Sequence, residues 1–327
     1  MLNPANEFKK RRERICILVP VVVNLEQTDS VSAVRRMQDY IEAHIMEPIT
    51  LARLSKAAGY SPWHSERLFK EKTGKTPFEY IRALRLSKAA MVLRDGKPKI
   101  IDVAFDFVFD SHEGFTKAFS KQFGISPKDY SKRTPPIQLF IPFRAGDYRH
   151  TLPIGDLIMP ENKNLVPVFI QVIERPQRKV LIKRGIEATD YYEYCREVGC
   201  DVYAMLTSVR EALYEPIGMW LPKKMIKNGT SQYVQGVELP LDYDKPVPEG
   251  YELTELEPCK MMVFQGSPFD EDLFEEAIGD LWEFMKSFDP KLYGYEWADE
   301  DAPRFQMEPL GYRGYIEARP VRALTNG

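Results

Sequence analysis

Cysteine and histidine are scarce in this chain, and neither is grouped. The four cysteines (Cys16, Cys195, Cys200 and Cys259) form no C-x-x-C pair, and the four histidines do not cluster beside them. That spacing argues against a structural zinc site and against a disulfide-stapled secreted scaffold. Reduced thiols in a cytoplasmic protein are the expectation. A Ser-His-Asp set, a metal-ligand spacing and a glycine-rich phosphate loop are also missing. No cofactor, metal ion or catalytic residue is therefore expected, and His44 and His150 are read as ordinary surface or satisfied residues.

Long apolar runs are missing too. ICILVPVVV (15–23) follows the basic cluster KKRRER (9–14) and has the outline of a leader. Pro20 interrupts it, no small-residue cleavage site follows, and its nine residues fall far short of the roughly 20 that a spanning helix needs. Residues 1–30 are expected to be an extension, either flexible or laid as a strand on another domain. No membrane partner is expected.

A length of 327 residues suggests two domains, or three. With 44% hydrophobic and 28% charged residues, the composition is that of an ordinary soluble globular protein. The net charge of −3 hides a division: residues 31–133 carry +7 and residues 134–327 carry −11. A basic half joined to an acidic half suggests a polyanion-binding module carrying a different second module.

The basic half reads as helices. In VSAVRRMQDYIEAHIM (31–46), Val34, Met37, Tyr40, Ile41 and Ile45 keep a helical period, and Pro48 ends it. Thr50 is a plausible N-cap for the next helix and Gly59 its stop. Ser61-Pro62 then starts a further helix, giving helix, tight turn and helix over 51–73. Phe69, Gly74, Pro77 and Tyr80 return fifty residues later as Phe119, Gly124, Pro127 and Tyr130. Between the copies, Phe78, Ile81, Leu84, Ala90, Met91 and Leu93 keep a helical period over a stretch closed by Gly96 and Pro98. A stiff connector of about 25 Å lets two helix-turn-helix units reach reading positions about 34 Å apart, one turn of DNA, without dimerising.

GYSPWHSERLFKEKTGKTPFEYIRALRLSKAAMVL (59–93) and IIDVAFDFVFDSHEGFTKAFSKQFGISPKDYSKR (100–133) together resemble the AraC/XylS DNA-binding domain. The resemblance covers about residues 32–133, and FTKAFSKQFGISPKDY is its most specific motif. It implies that the second helix of each unit enters the major groove of double-stranded DNA. By position this points to Trp63, His64, Glu66 and Arg67 in the first unit, and to Ser111, His112, Glu113, Thr116 and Lys117 in the second. The chemistry agrees in part. Arg67 can bond guanine bidentately or grip phosphate, whereas Glu66 and Glu113 suit only a cytosine amino group. Trp63 is either a groove contact or a core anchor; Phe69, Phe115 and Phe119 are expected in the core. Lys70, Lys72, Lys75, Lys121 and Lys128 are expected to meet phosphate or water. Two departures stand out. Val108 occupies the turn position where the family usually has glycine, although a β-branched residue tolerates a left-handed backbone poorly. Lys117 replaces the family's arginine and loses its fork. The second unit is therefore expected to grip phosphate and read few bases.

The acidic half changes character. After a proline-bearing linker (134–165), in which Ile137–Phe143 is a candidate strand, VFIQVIERPQRKVLIKRG (168–185) is echoed by YELTELEPCKMMVFQG (251–266). Each leads into a helix, about 190–214 and about 270–288, and then into strand-like pieces. The pattern predicts an α+β domain of two pseudo-symmetric β-α-β-β units over 166–322 with a cleft between them. This half resembles the gyrase-inhibitor-like effector-binding domain. The resemblance implies an aromatic pocket with a buried carboxylate suited to lipophilic cations. Glu308 best matches the acidic position and Glu317 is second; Tyr203, Trp220, Trp282, Trp297 and Tyr315 are candidate walls. Core aromatics and solvated glutamates are the competing assignment.

Three functions follow. The first is a transcription regulator with DNA on the N-terminal helices and a small-molecule effector in the C-terminal cleft, the transcription machinery being a candidate partner. The second replaces the effector with a protein-docking or dimerisation surface, which a filled cleft would favour. The third is a hydrolase using Glu308 with Tyr312 or Tyr315. Oligomeric state, operator, effector identity and the choice between activator and repressor stay open.

Overall fold

Turn chemistry cuts the first part of the chain into helices. The structure, a computed structural model, describes residues 25–96, 98–142, 145, 167–199 and 201–324. The apolar run 15–23, His150, Cys16, Cys200 and most of the expected linker lie outside the described residues. The helices are α1 (Leu25–Ala43), α2 (Leu51–Ala58), α3 (Pro62–Thr73), α4 (Pro77–Asp95), α5 (Ile100–Asp106), α6 (His112–Phe123) and α7 (Pro127–Arg133). The first of them begins inside the stretch expected to be an extension.

Local rules account for most of these boundaries. Thr50, Ser61, Thr76, Ser111 and Ser126 each cap a helix N-terminus with a side-chain oxygen. Gly59, Gly74 and Gly124 close helices at φ of 78°, 75° and 70°, the left-handed region where a side chain is strained. The fifty-residue repeat is thus a repeat of folding signals. In both copies a left-handed glycine is followed two residues later by a hydroxyl cap, a proline at the first helical position and an acid that completes the cap. Thr76 and Glu79 exchange bonds in the first copy, and Ser126 and Asp129 in the second.

Helix α4 binds the two units together. Tyr80, Ile81 and Leu84 near its start join Met37, Ile41, Leu54 and Phe69 in one core. Leu86, Ala89, Ala90 and Leu93 near its end join Phe115, Phe119 and Tyr130 in a second. At 19 residues it is about 28 Å long. Phe78, expected on its buried face, is 48% exposed.

The second part is built on a sheet. Its strands are β1 (Phe169–Arg175), β2 (Arg178–Arg184), β3 (Ile217–Trp220), β4 (Tyr233–Leu239), β5 (Glu252–Leu256), β6 (Cys259–Gln265), β7 (Tyr295–Trp297), β8 (Arg304–Gln306) and β9 (Ile316–Ala323). Helices α8 (Tyr191–Val198), α9 (Asp201–Thr207) and α10 (Phe274–Ser287) interrupt them. The order across the sheet is β1-β6-β9-β8-β3-β4-β2-β5, with β7 added on β9. The strand pairs along it are antiparallel. Each half therefore has two strands before its helical segment rather than the expected one, and the paired runs do not close on themselves. β1 pairs with β6 and β2 with β5, so each crosses to the other half.

Strand alternation splits the apolar residues between the faces. Val180, Ile182, Met219 and Val234 pack in one cluster. Leu181, Tyr233 and Val237 point the other way, toward α8 and α9, and Phe264 and Tyr315 pack under α10. Two further expectations fail locally. The helix expected through residue 214 breaks at Gly199 (φ 91°) and ends at Thr207. Residues 137–142 are extended but join no strand among the described residues. The N–H groups of Ile137 and Phe140 instead donate to Ser208 Oγ (2.8 Å) and Ser87 Oγ (2.7 Å), one in each domain.

Candidate functional site

The first helix-turn-helix unit presents α3 with its polar side open. Trp63 is 69% exposed, which removes it from the core. Arg67 follows one turn later, and its guanidinium lies over the Trp63 ring, 5.0 Å from the centroid. The pair is at i,i+4 spacing, so the indole orients the cation on the exposed face. His64 meets Tyr60 edge-on at 4.7 Å, and the Tyr60 hydroxyl donates to Asp29 on α1 (2.6 Å). Glu66 is half-buried.

The second unit differs. His112, Glu113 and Lys117 are exposed on α6. Ser111 is half-buried and caps the helix, its hydroxyl accepting from the Gly114 N–H at 3.0 Å. Thr116 Oγ1 is buried with no hydrogen-bond partner among the described residues, so it faces the protein rather than outward. The turn before α6 holds Val108 at φ 60°, a left-handed β-branched residue. The strain foreseen for that position is present and is held in place by the N–H of Val108 on Phe105 O (2.9 Å) and of Phe109 on Ala104 O (2.9 Å).

Between the domains lies a cavity of about 870 Å³. Tyr203, Trp220, Trp282, Glu308 and Tyr315, all candidate site residues of the C-terminal half, line it. Trp297 does not. It packs against Phe264 and Phe288, with the Arg319 guanidinium 4.1 Å from its ring centroid. The rest of the wall was not foreseen. Arg35 and Glu42 of α1, Lys75, Ala83 of α4, Gln122 of α6 and the connector residues Gln138–Pro142 all face the same space. No periodicity or motif signals this, because the wall forms only when the two domains meet.

The two candidate carboxylates have different surroundings. Glu308 lies beside Tyr203, and burial together with that carboxylate pushes the phenol well above its ordinary pKa. Glu317 lies just beneath the wall and is fully buried. Its Oε2 accepts from Trp282 Nε1 (2.7 Å) and from the Tyr315 hydroxyl (3.2 Å), and its Oε1 is held by the Arg304 guanidinium. Burial raises its pKa, and Arg304 with the two donors opposes that rise. The Tyr315 hydroxyl serves Gln306 Oε1 (2.8 Å) and Glu317, and Tyr312 is 77% exposed.

Two helix-turn-helix units sharing a connector helix, followed by a separate sheet-rich domain, define the class of protein. A helix-turn-helix domain family model matches residues 54–133. Right origin-binding protein of Escherichia coli (strain K12) is 39% identical over 135 residues, 41% of this chain and 44% of that protein. Regulatory protein SoxS of Salmonella typhimurium is 35% identical over 100 residues, 31% of this chain and 94% of that protein. The C-terminal domain of AraT, a response regulator from Geobacillus stearothermophilus, matches at 29% identity with a TM-score of 0.30, over 31% of this chain and 84% of that one. The chain belongs to the AraC/XylS family. It spans less than half the length of the first of these relatives. Among the described residues, no helix is long and apolar enough to cross a membrane.

Proposed function

We propose that this protein is a transcription regulator that binds double-stranded DNA through α3 and α6, and that a small lipophilic cation entering the interdomain cavity alters that binding. The observation that carries the proposal is the composition of the cavity wall: both domains and the connector face one space. A molecule bound there touches the DNA-binding unit directly, so its binding free energy depends on where that unit sits. This is the condition for a ligand to shift the DNA-competent population.

Several features support the assignment. Trp63, Arg67, His112 and Lys117 lie on exposed helix faces that the C-terminal domain leaves uncovered. The strand order is unchanged when the two halves are exchanged end for end, which supports two pseudo-symmetric units and a gyrase-inhibitor-like cleft. Seven carboxylates (Glu42, Asp190, Asp201, Glu271, Asp272, Glu275 and Glu308) face two cations, Arg35 and Lys75, around the space. That excess, with Trp220 and Trp282, suits an organic cation. An open space of this size also goes with an effector rather than with a filled docking module.

The test is thermal melting of the full chain with benzyltrimethylammonium and with its uncharged isostere neopentylbenzene, followed by operator titration at fixed salt. A ligand that binds only the native state raises stability by about 2.7 kcal/mol at a hundred times its dissociation constant. Cation-selective stabilisation, weakened in Glu308→Gln, with a change in operator affinity, is the expected result. Stabilisation by neither compound, nor by larger members of either series, overturns the effector assignment.

A further inference from the structure

The buried carboxylate beneath the cavity already holds a cation, and that cation belongs to the protein. Glu317 on β9 has no exposed surface. Trp282 and Tyr315, which line the cavity, occupy its Oε2, and Arg304 on β8 holds its Oε1. The same Arg304 guanidinium lies over the Trp220 ring, 4.5 Å from the centroid. Trp220 and Arg304 are register partners across β3 and β8, so the stacking is set by the sheet.

A carboxylate beside an indole face is the pair of groups that attracts an organic cation in a place sheltered from water. Here both groups are already committed to Arg304. A carboxylate buried this deeply cannot be left unpaired without a large desolvation cost. A ligand can therefore take the site only by exchange, one cation for another. Arg304 is suited to leave. Its side chain is 34% exposed and sits on a flexible stem, so the displaced guanidinium can reach water.

We propose that Arg304 is a tethered competitor that sets the affinity and charge selectivity of the cavity. This rests on the proposal that the cavity takes a cation. The exchange keeps Glu317 neutralised at every stage for a cationic ligand. A neutral molecule leaves the Arg304–Glu317 pair intact and gains nothing from Glu317. The cost of displacing Arg304 appears as a reduced apparent affinity, scaled by the fraction of molecules in which the guanidinium is withdrawn.

The experiment compares calorimetric binding of benzyltrimethylammonium and neopentylbenzene to the full-length protein and to Arg304→Met, which keeps the stem and removes the charge. A withdrawn state populated at about 1–10% predicts a ten- to hundredfold tighter cation affinity in Arg304→Met, with the neutral isostere unchanged. Arg304→Met alone strands Glu317, so the double variant Arg304→Met/Glu317→Gln is measured beside it. That variant keeps an uncharged pair and is expected to lose the gain seen in Arg304→Met, leaving the cation only the preference that Glu308 and the other wall carboxylates supply. If the cation binds wild type and Arg304→Met equally, or if both compounds tighten together, the competitor role is overturned while the cation cavity stands. If neither benzyltrimethylammonium nor a larger cation of its series binds any of the three proteins, both proposals fall.

Discussion

Val108 shows how a single side chain can register a conflict between neighbours. The turn before α6 needs a left-handed residue, and the chain supplies valine at φ 60°. For an L-residue that conformation costs roughly 1–2 kcal/mol, while glycine adopts it freely but loses more chain entropy on folding. Val108→Gly is therefore expected to stabilise the protein by about 0.5–1 kcal/mol, read as a shift in the denaturant midpoint at constant slope. An unchanged or lower midpoint would mean that the half-buried valine side chain contributes more packing than its backbone strain removes. The basic residues carry a related lesson. Arg36 donates to Ala57 O and Ala58 O at the end of α2, and Arg85 to Ile45 O and Glu47 O after α1. Part of the positive surplus therefore fastens the helices to one another, and counting charge alone overstates the phosphate-facing surface.

Helices α3 and α6 occupy corresponding places in their units and present different chemistry. On α3 an arginine fork lies over an exposed indole. On α6 the exposed groups are a histidine, a glutamate and a lysine, while the Ser111 hydroxyl caps the helix and the Thr116 hydroxyl is buried. Arg67→Ala is expected to weaken specific operator binding by about 1–3 kcal/mol and to relax preference at one base position. A saturation scan of the operator is the check, and the bases beneath α6 are expected to tolerate substitution better than those beneath α3. Loss spread evenly over all sequences would assign Arg67 to phosphate instead. The caps that begin and end these helices were legible in the chain because capping involves residues within four positions. The face each side chain takes was less so: Trp63 was open between core and groove, and Phe78 was expected inward but is 48% exposed. Helical spacing names a face but not the partner that covers it.

Across the whole molecule, the segment after α7 joins the two domains physically. The N–H groups of Ile137 and Phe140 donate to serine hydroxyls on opposite sides, Gln138 Nε2 donates to Asp201 O (2.6 Å), and the Phe140 ring packs edge-on to Tyr80 at 5.1 Å. Arg94 on α4 reaches Thr207 O at the end of α9, and Arg35 on α1 pairs with Asp272. Phe140 also lines the cavity, so it is in contact with ligand space and with the DNA-binding core together. Phe140→Ala is expected to leave cation affinity within a few-fold of wild type and to reduce the coupling between cation and operator, ordinarily about 1–3 kcal/mol, toward zero. A thermodynamic cycle of the two binding reactions measures it. Coupling retained in full would place the communication elsewhere in the interface.

The division between chain and fold follows the range of the interactions. Helix limits, left-handed glycines, the fifty-residue repeat and the change from helices to strands near residue 166 depend on neighbours close in sequence, and each could be read from local chemistry. The aromatic candidates show where that stops. Trp220 and Trp282 reach the cavity while Trp297 is packed behind it, because strand pairing between distant segments decides which face a side chain takes. The crossing of β1 to β6 and of β2 to β5 joins residues about ninety and seventy positions apart, and no local preference encodes that choice. The same holds for the Arg304–Glu317 pair and for a cavity walled by two domains. Those exist only once the sheet has registered and the domains have met, since each depends on contacts whose partners the local sequence does not specify.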